Sequence, residues 1–264
     1  MASNTITHQC RAVFLSDIHL GTKDCKAEFL INFLRSVRTE KLFLVGDIVD
    51  FWSLKKQGYW PESHQTIMRE LNLLTNRGTS VIYIPGNHDA ALRDFTGANL
   101  FNLTLVREYE YTSQSGKRLL LVHGDDFDGS VMVGKFTSWL GDQGYVMLLW
   151  LNRWFNQIRQ LFGFRYLSIA SYIKFQVKSA NEAVQRFEQA AAHEAKRRGM
   201  DGIVCGHIHV PKLRKIEGIL YMNDGDWVEN CTSLIEHLDG SFELMHWGDT
   251  QEQMVLLEDM DHAA

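Results

Sequence analysis

No stretch of about 18 uncharged apolar residues occurs in this chain, so no membrane-spanning helix is expected. The opening Met1 to Gln9 is polar and lacks the apolar core of a secretory leader. Cysteine is scarce: Cys10, Cys25, Cys205 and Cys231 form no CxxC pair, and four free thiols in a reducing, cytoplasmic setting are the expectation. Basic surplus is missing too. Lys and Arg number 27 against 32 Asp and Glu, a net charge of -5, which argues against a general nucleic-acid binder. Repeats and low-complexity tracts are absent. What remains is an ordinary globular composition, 45% apolar and 22% charged, at a length (264 residues) suited to one large domain spanning 1–264.

The first half alternates strand-like and helix-like stretches. Arg11 to Leu15 reads as a buried strand, and Lys26 to Arg38 has helical spacing through Phe29, Leu30, Phe33 and Leu34. Lys41 to Val45 is a second strand, followed by a helix over His64 to Asn76. Ser80 to Ile84 is a third strand, closed by Pro85-Gly86, and Lys117 to Val122 a fourth, after the Ser115-Gly116 turn. Helices between strands predict parallel pairing. Near the end, Gly202 to Cys205, Ile219 to Asn223, Thr232 to Leu238 and Phe242 to Trp247 read as strands, with Asp239-Gly240 as a hairpin turn. The tail from Asp249 is expected to fray.

Between these halves, residues 130–200 carry no strand signal and read as two or three helices rich in Trp, Phe and Tyr. This stretch has ten basic residues against four acidic ones, a surplus of six in an acidic chain. A helical insertion forming a cap is expected. Its aromatics either pack helices onto the core or shelter acyl chains, with its cations resting on anionic headgroups.

Five short blocks follow apolar runs: Asp17-Ile18-His19, Gly46-Asp47, Gly86-Asn87-His88-Asp89, His123-Gly124-Asp125 and Gly206-His207-Ile208-His209. In open α/β sheets, ligands bind outside the carboxyl ends of strands, and these blocks stand at such ends. Hard divalent cations want oxygen ligands, imidazole shifts the preference toward Mn²⁺, Fe²⁺ or Zn²⁺, and the lack of a thiolate argues against structural zinc. Oxygen and imidazole donors in this order describe a pair of divalent metals at one sheet edge, chemistry suited to phosphate esters. The remaining histidines, such as His64 and His193, read as ordinary surface or core residues.

These blocks resemble the calcineurin-like metallophosphoesterase family, whose pattern D-x-H, G-D, G-N-H-D, H and G-H-x-H is matched throughout, from Asp17 to His209. The resemblance implies an α/β sandwich of two mixed sheets flanked by helices. It implies one metal on Asp17, His19 and His209, a second on Asn87, His123 and His207, and Asp47 bridging ions about 3.5–4 Å apart. A water between them would become hydroxide near neutral pH and attack phosphorus. His88 is not a ligand in this pattern. It is expected to face the phosphate and protonate the leaving oxygen, with Asp89 fixing its tautomer. Asp50 and Asp125 are either outer support or solvent-facing. Arg93 either reaches a substrate phosphate or is an ordinary surface arginine. Asn223 to Trp227, with Asn223 and Asp226 as candidate contacts, either line the pocket or form a turn.

Within the family, Ser16 to Gly21, Gly46 to Trp52 and the insertion between His123 and His207 are most similar to the branch of UDP-2,3-diacylglucosamine hydrolases in lipid A synthesis. That implies a lipid-linked or nucleotide-sugar diphosphate cut at the cytoplasmic face of the inner membrane. One departure stands out: well-established members of the branch carry arginine where this chain has His88. The alternative is a phosphodiesterase or phosphatase on a soluble substrate such as a nucleotide.

Overall fold

The computed structural model of the chain describes residues 8–100, 103–130, 155 and 178–247. Strand β1 (His8–Leu15) is followed by helix α1 (Ala27–Ser36), β2 (Val37–Val45), the short α2 (Phe51–Gln57), α3 (Glu62–Asn76) and β3 (Ser80–Ile84). After a 3-10 turn (Ala90–Phe95) come β4 (Asn99–Leu100), β5 (Leu103–Leu105), β6 (Tyr109–Thr112) and β7 (Arg118–Leu121). A second 3-10 turn (Asp125–Ser130) follows. Beyond it lie helix α4 (Lys178–Arg197), β8 (Gly202–Cys205), β9 (Lys212–Ile216), β10 (Ile219–Asn223), β11 (Thr232–Glu236) and β12 (Phe242–His246).

Two mixed sheets result, in the orders β12-β11-β1-β2-β3-β5-β4 and β6-β7-β8-β10-β9. In the first, β1, β2, β3 and β5 run parallel; in the second, β7, β8 and β10 do. Antiparallel strands close both edges of each. The two-residue period of strands explains the layering. Ala12 and Phe14, Phe43 and Val45, and Ile82 and Ile84 face Leu119, Leu121, Val204 and Met222 between the sheets. The alternate residues Val13, Leu15, Leu42, Leu44, Val81 and Tyr83 pack outward against Leu30, Phe33 and Leu34 of α1 and Ile67, Leu71 and Leu74 of α3. On the far side, Ile203, Cys205 and Tyr221 meet Phe187, Ala191 and Ala195 of α4. Burying each such large side chain is worth about 1.5–3 kcal/mol, so both strand faces are committed and register is fixed.

The two-sheet sandwich flanked by helices is as expected, and the Asp239-Gly240 hairpin joins β11 to β12. The elements differ in part from those expected. The helix expected to reach Arg38 stops at Ser36, because Val37 and Thr39 pair with His8 and Cys10 and lengthen β2. Helix α2 escaped the periodicity because none of its residues is buried; caps define it instead, with Asp50 at one end and left-handed Gly58 at the other. The edge strand β9 hid behind its lysines. Of the expected 130–200 cap, residues 131–154 and 156–177 lie outside the described residues, and α4 at its end packs on the second sheet.

Candidate metal centre

Every expected ligand sits in a loop leaving the carboxyl end of a central strand: β1 for Asp17 and His19, β2 for Asp47, β3 for Asn87, β7 for His123, and β8 for His207 and His209. The loops are laced together. Asp17 N–H donates to the Gly46 carbonyl at 3.0 Å and His19 N–H to the Asp47 carbonyl at 2.9 Å. His207 N–H donates to Asp17 Oδ2 at 2.8 Å, and His88 N–H to Asp47 Oδ1 at 2.8 Å. Each aspartate thus spends one oxygen on the fold and leaves the other for the site.

That other oxygen faces imidazoles. Asp17 Oδ1 is buried without a hydrogen bond of good geometry, 3.2 Å from His209 Nε2 and 3.8 Å from His19 Nε2. Asp47 Oδ2 is 3.3 Å from His123 Nε2, which is also 3.3 Å from Asn87 Oδ1. His123 Nδ1 donates to the Val45 carbonyl at 2.9 Å, so its tautomer is set and Nε2 is left for the site. Ligand atoms of Asp17, His19 and His209 lie within 4.8 Å of one another, as do those of Asp47, His123 and His207. His19, Asp47 and His88 form a third such group between them.

Such a donor set, with a buried carboxylate oxygen lacking a hydrogen, fits a divalent cation. Burial opposes the charge on Asp17, yet His209, His123 and His19 hold its carboxyl well below the usual range. Burial likewise opposes a charged His123, but the Asp47 hydrogen bond, together with the charges of Asp47 and Asp17, lifts its pKa to about 10. In a chain without metal, protons on imidazole take the place of the cation.

Glycines make the close approach feasible. A Cβ on Gly46 would lie 2.2 Å from His123 Nδ1, one on Gly86 2.3 Å from Asp47 Oδ1, and one on Gly206 2.3 Å from Asp17 Oδ2. The glycines before the ligands therefore clear space for the ligands of neighbouring loops. Backbone strain concentrates here as well. Asp17, His19, Asp47, His207 and His209 have φ between 50° and 70°, and among the described residues only Glu217 and Cys231 share that left-handed state without being glycine.

His88 lies between the two ligand groups, beside His19 and Asp47, and belongs to neither. Its Nδ1 lies 3.0 Å from Asp50 Oδ2, its Nε2 lies 4.0 Å from Asp47 Oδ2, and a quarter of the side chain is exposed. Burial disfavours its charge, but the Asp50 hydrogen bond and the charges of Asp47 and Asp50 together raise its pKa. Asp89 does not orient it, contrary to expectation. Asp89 is wholly buried and accepts from Tyr83 Oη (2.5 Å), Gly86 N–H (2.5 Å) and Ile48 N–H (2.8 Å), tying the β2 and β3 loops together. Its oxygens are consumed by the fold. The residue beside His88 is Asp50, which also lies 3.3 Å from His19 Nδ1 and caps α2 through Ser53 N–H at 2.7 Å.

The expected substrate contacts fare differently. Arg93 forms a bidentate pair with Asp125, at 3.0 and 2.7 Å, and both line a cleft of about 280 Å³ beside His123. Each neutralises the other. Asn223 and Asp226 are fully buried. Asn223 holds the Gly206 carbonyl at 2.7 Å and Gly225 N–H at 3.0 Å, while Asp226 accepts from Val228 and Asn230 N–H at 2.8 and 3.2 Å. Both shape the loop behind Asp17. Ser16 was overlooked: its hydroxyl lies 2.6 Å from Asp17 Oδ2 and 2.7 Å from the buried Asp224. Asp128 was overlooked too, 2.9 Å from His207 Nε2; the acidic run 125–128 was its only signal.

The chain is similar to several known proteins. UDP-2,3-diacylglucosamine hydrolase of Neisseria gonorrhoeae is 26% identical over 243 residues, covering 86% of this chain and 93% of that protein. The Photorhabdus laumondii protein of the same name is 26% identical over 223 residues, 77% of this chain and 84% of its own. Among solved structures, the Escherichia coli phosphoesterase Yfce overlays with a TM-score of 0.47 at 15% identity, covering 91% of this chain and 95% of that one. The profile of the calcineurin-like phosphoesterases matches residues 10–211. The chain therefore belongs to the calcineurin-like phosphoesterase family, enzymes that hydrolyse phosphoesters with divalent metal ions.

Proposed function

We propose that this enzyme cleaves the diphosphate of a lipid-linked nucleotide sugar of the UDP-2,3-diacylglucosamine type. The observation that carries the hydrolytic chemistry is the convergence of seven candidate ligand side chains from both sheets, with one buried Asp17 oxygen lacking a hydrogen bond of good geometry. Asp17, His19 and His209 would hold one ion, Asn87, His123 and His207 a second, and Asp47 would serve both. Ions bound there supply a water nucleophile at neutral pH and offset phosphate charge; Mn²⁺ suits the donors, as do Fe²⁺ and Zn²⁺.

The chain's own part is positioning and proton transfer. Buried carboxylates stay ionised beside the imidazoles and fix the ligand geometry. His88, held by Asp50 and with its pKa raised, donates a proton to the departing oxygen. The lipid substrate is supported by the two relatives of that name and their coverage of most of the chain. No helix among the described residues is long and apolar enough to cross a membrane. A lipid substrate would be met at the cytoplasmic face of an anionic inner membrane, where the basic surplus of residues 130–200 suits anionic headgroups. A second reading, a phosphodiesterase on soluble nucleotides, is favoured by His88 itself, the family's general residue at that place.

Turnover of UDP-2,3-diacylglucosamine beside bis-p-nitrophenyl phosphate, with Mn²⁺ present, separates the two. Hydrolysis of the lipid with release of UMP is the expected result. Good activity on the small diester with none on the lipid would reject the first reading in favour of the second.

A further inference from the structure

At 59% exposure, Trp52 is the most exposed large apolar side chain among the described residues. It stands on α2, whose residues contribute nothing to the core. The helix is instead fastened to the site. Asp50 caps it while lying within 3.3 Å of both His19 and His88, and Phe51 N–H donates to the His88 carbonyl at 3.2 Å. The indole lies against the His88 ring, centroids 4.3 Å apart and planes at 37°. Lys55 and Lys56, three and four residues on, share its side of the helix and are exposed. An open indole touching the proton donor, with two cations beside it, is an aromatic surface next to the reacting phosphate rather than a packing residue.

We propose that Trp52 is the stacking platform for the heterocyclic base of a nucleoside diphosphate ester, with Lys55 and Lys56 set to meet the phosphate chain. The proposal rests on the reading above that His88 faces the scissile phosphate. Distance selects the base. A ring stacked on the outer face of the indole lies roughly another 3.5–4 Å beyond it, so about two ring thicknesses separate it from His88. A sugar bonded directly to the scissile phosphate would fall short of that face. A base, held off from its 5′-phosphate by a ribose, reaches it. Bases of any kind stack on tryptophan, so the platform confers a requirement for a base more than a choice among bases.

The test compares two diphosphates with the same sugar leaving group, one capped by uridine and one by ribose without a base. The Mn²⁺-loaded full chain, Trp52→Ala and Trp52→Phe are assayed on both. The expected result is a fall of about 5- to 150-fold in the ratio of kcat/KM for the base-bearing over the abasic substrate in Trp52→Ala, largely restored in Trp52→Phe. Using the ratio cancels any general effect transmitted through His88. A ratio within twofold of wild type overturns the platform while leaving the hydrolase reading intact. Calorimetric titration with UMP and with inorganic phosphate supplies the second arm. There, Trp52→Ala should weaken UMP relative to phosphate by the same factor. If the wild-type chain hydrolyses no phosphoester, the functional reading fails, and this binding ratio alone decides: the same weakening upholds the platform, and an unchanged ratio rejects it.

Discussion

Replacing Gly206 with alanine tests whether the site's geometry comes from clearance before the ligands. The new Cβ would lie 2.2 Å from Ser16 Oγ, 2.3 Å from Asp17 Oδ2 and 2.6 Å from Ser16 Cβ. Ser16 and Asp17 are 1% and 0% exposed, so neither side chain has space to swing into. Something must shift, and the bonds at risk are those of Asp17 Oδ2 with Ser16 and with His207 N–H. Overpacking of this kind costs about 1–3 kcal/mol. For a chain of this size each kcal/mol lowers Tm by about 2–4 °C, so a fall of roughly 2–12 °C is expected. On the proposed ligand assignment, a displaced Asp17 should also weaken metal binding and cost about 10²-fold in turnover. Gly116→Ala is the control. Nothing lies within 4 Å of its Cβ, but its φ of +81° makes alanine unfavourable by about 1–2 kcal/mol in the β6–β7 turn. Calorimetry should show both variants less stable. Elemental analysis should show metal lost only from Gly206→Ala. A Gly206→Ala protein with wild-type Tm and full metal content would refute the steric argument.

Other outcomes follow from the same geometry. Asp47→Ala should abolish turnover and reduce bound metal while circular dichroism shows the fold retained; unchanged activity would contradict a shared ligand. His88→Ala should cut turnover about 10²–10⁴-fold with metal content preserved, and metal loss in that variant would make His88 a ligand. Prolonged dialysis against a chelator should silence the wild-type enzyme, with Mn²⁺ restoring it. Burial pushes the Cys10 thiol from 9.0 to about 11, so at pH 8 its thiolate is about a hundredfold scarcer than in an unhindered cysteine. Iodoacetamide should modify Cys10 slowly in native protein and rapidly in urea, as followed by peptide mass spectrometry.

The convergence of the candidate ligand blocks, and the sheet strands that carry them, were legible because two physical signals coincided. Apolar runs with both faces buried mark central strands, and polar donors beyond their ends mark the site. What escaped was set by tertiary context. Asp89 and Asp50 are both carboxylates within three residues of a ligand block, and sequence cannot tell which one meets His88. Their roles were decided by which donors surround each: backbone N–H groups and a tyrosine around Asp89, imidazoles around Asp50. The run from Asn223 to Asp226 has a pocket-like composition, yet Asn223 and Asp226 close backbone turns and Asp224 meets the Ser16 hydroxyl instead. Arg93 and Asp125 are 32 positions apart, and nothing local announces that they pair. Helix α2 lacks the stripe that periodicity detects, so Trp52 was legible only as the end of the Gly46 to Trp52 block and not as an exposed side chain on a helix.

The left-handed backbone at Asp17, His19, Asp47, His207 and His209 sets the enzyme's chemistry against its own robustness. Conformations of this kind cost on the order of 1–3 kcal/mol apiece in a residue with a side chain. Glycine at His19 or His209 would relax the torsion and, in the metal-free protein, raise the melting temperature while forfeiting a donor; at Asp17 and Asp47 it would also strip a buried acceptor from a backbone N–H. A lineage released from catalytic selection would therefore drift toward glycine or asparagine at the strained histidines first. The drift would leave a hardier but inert sandwich.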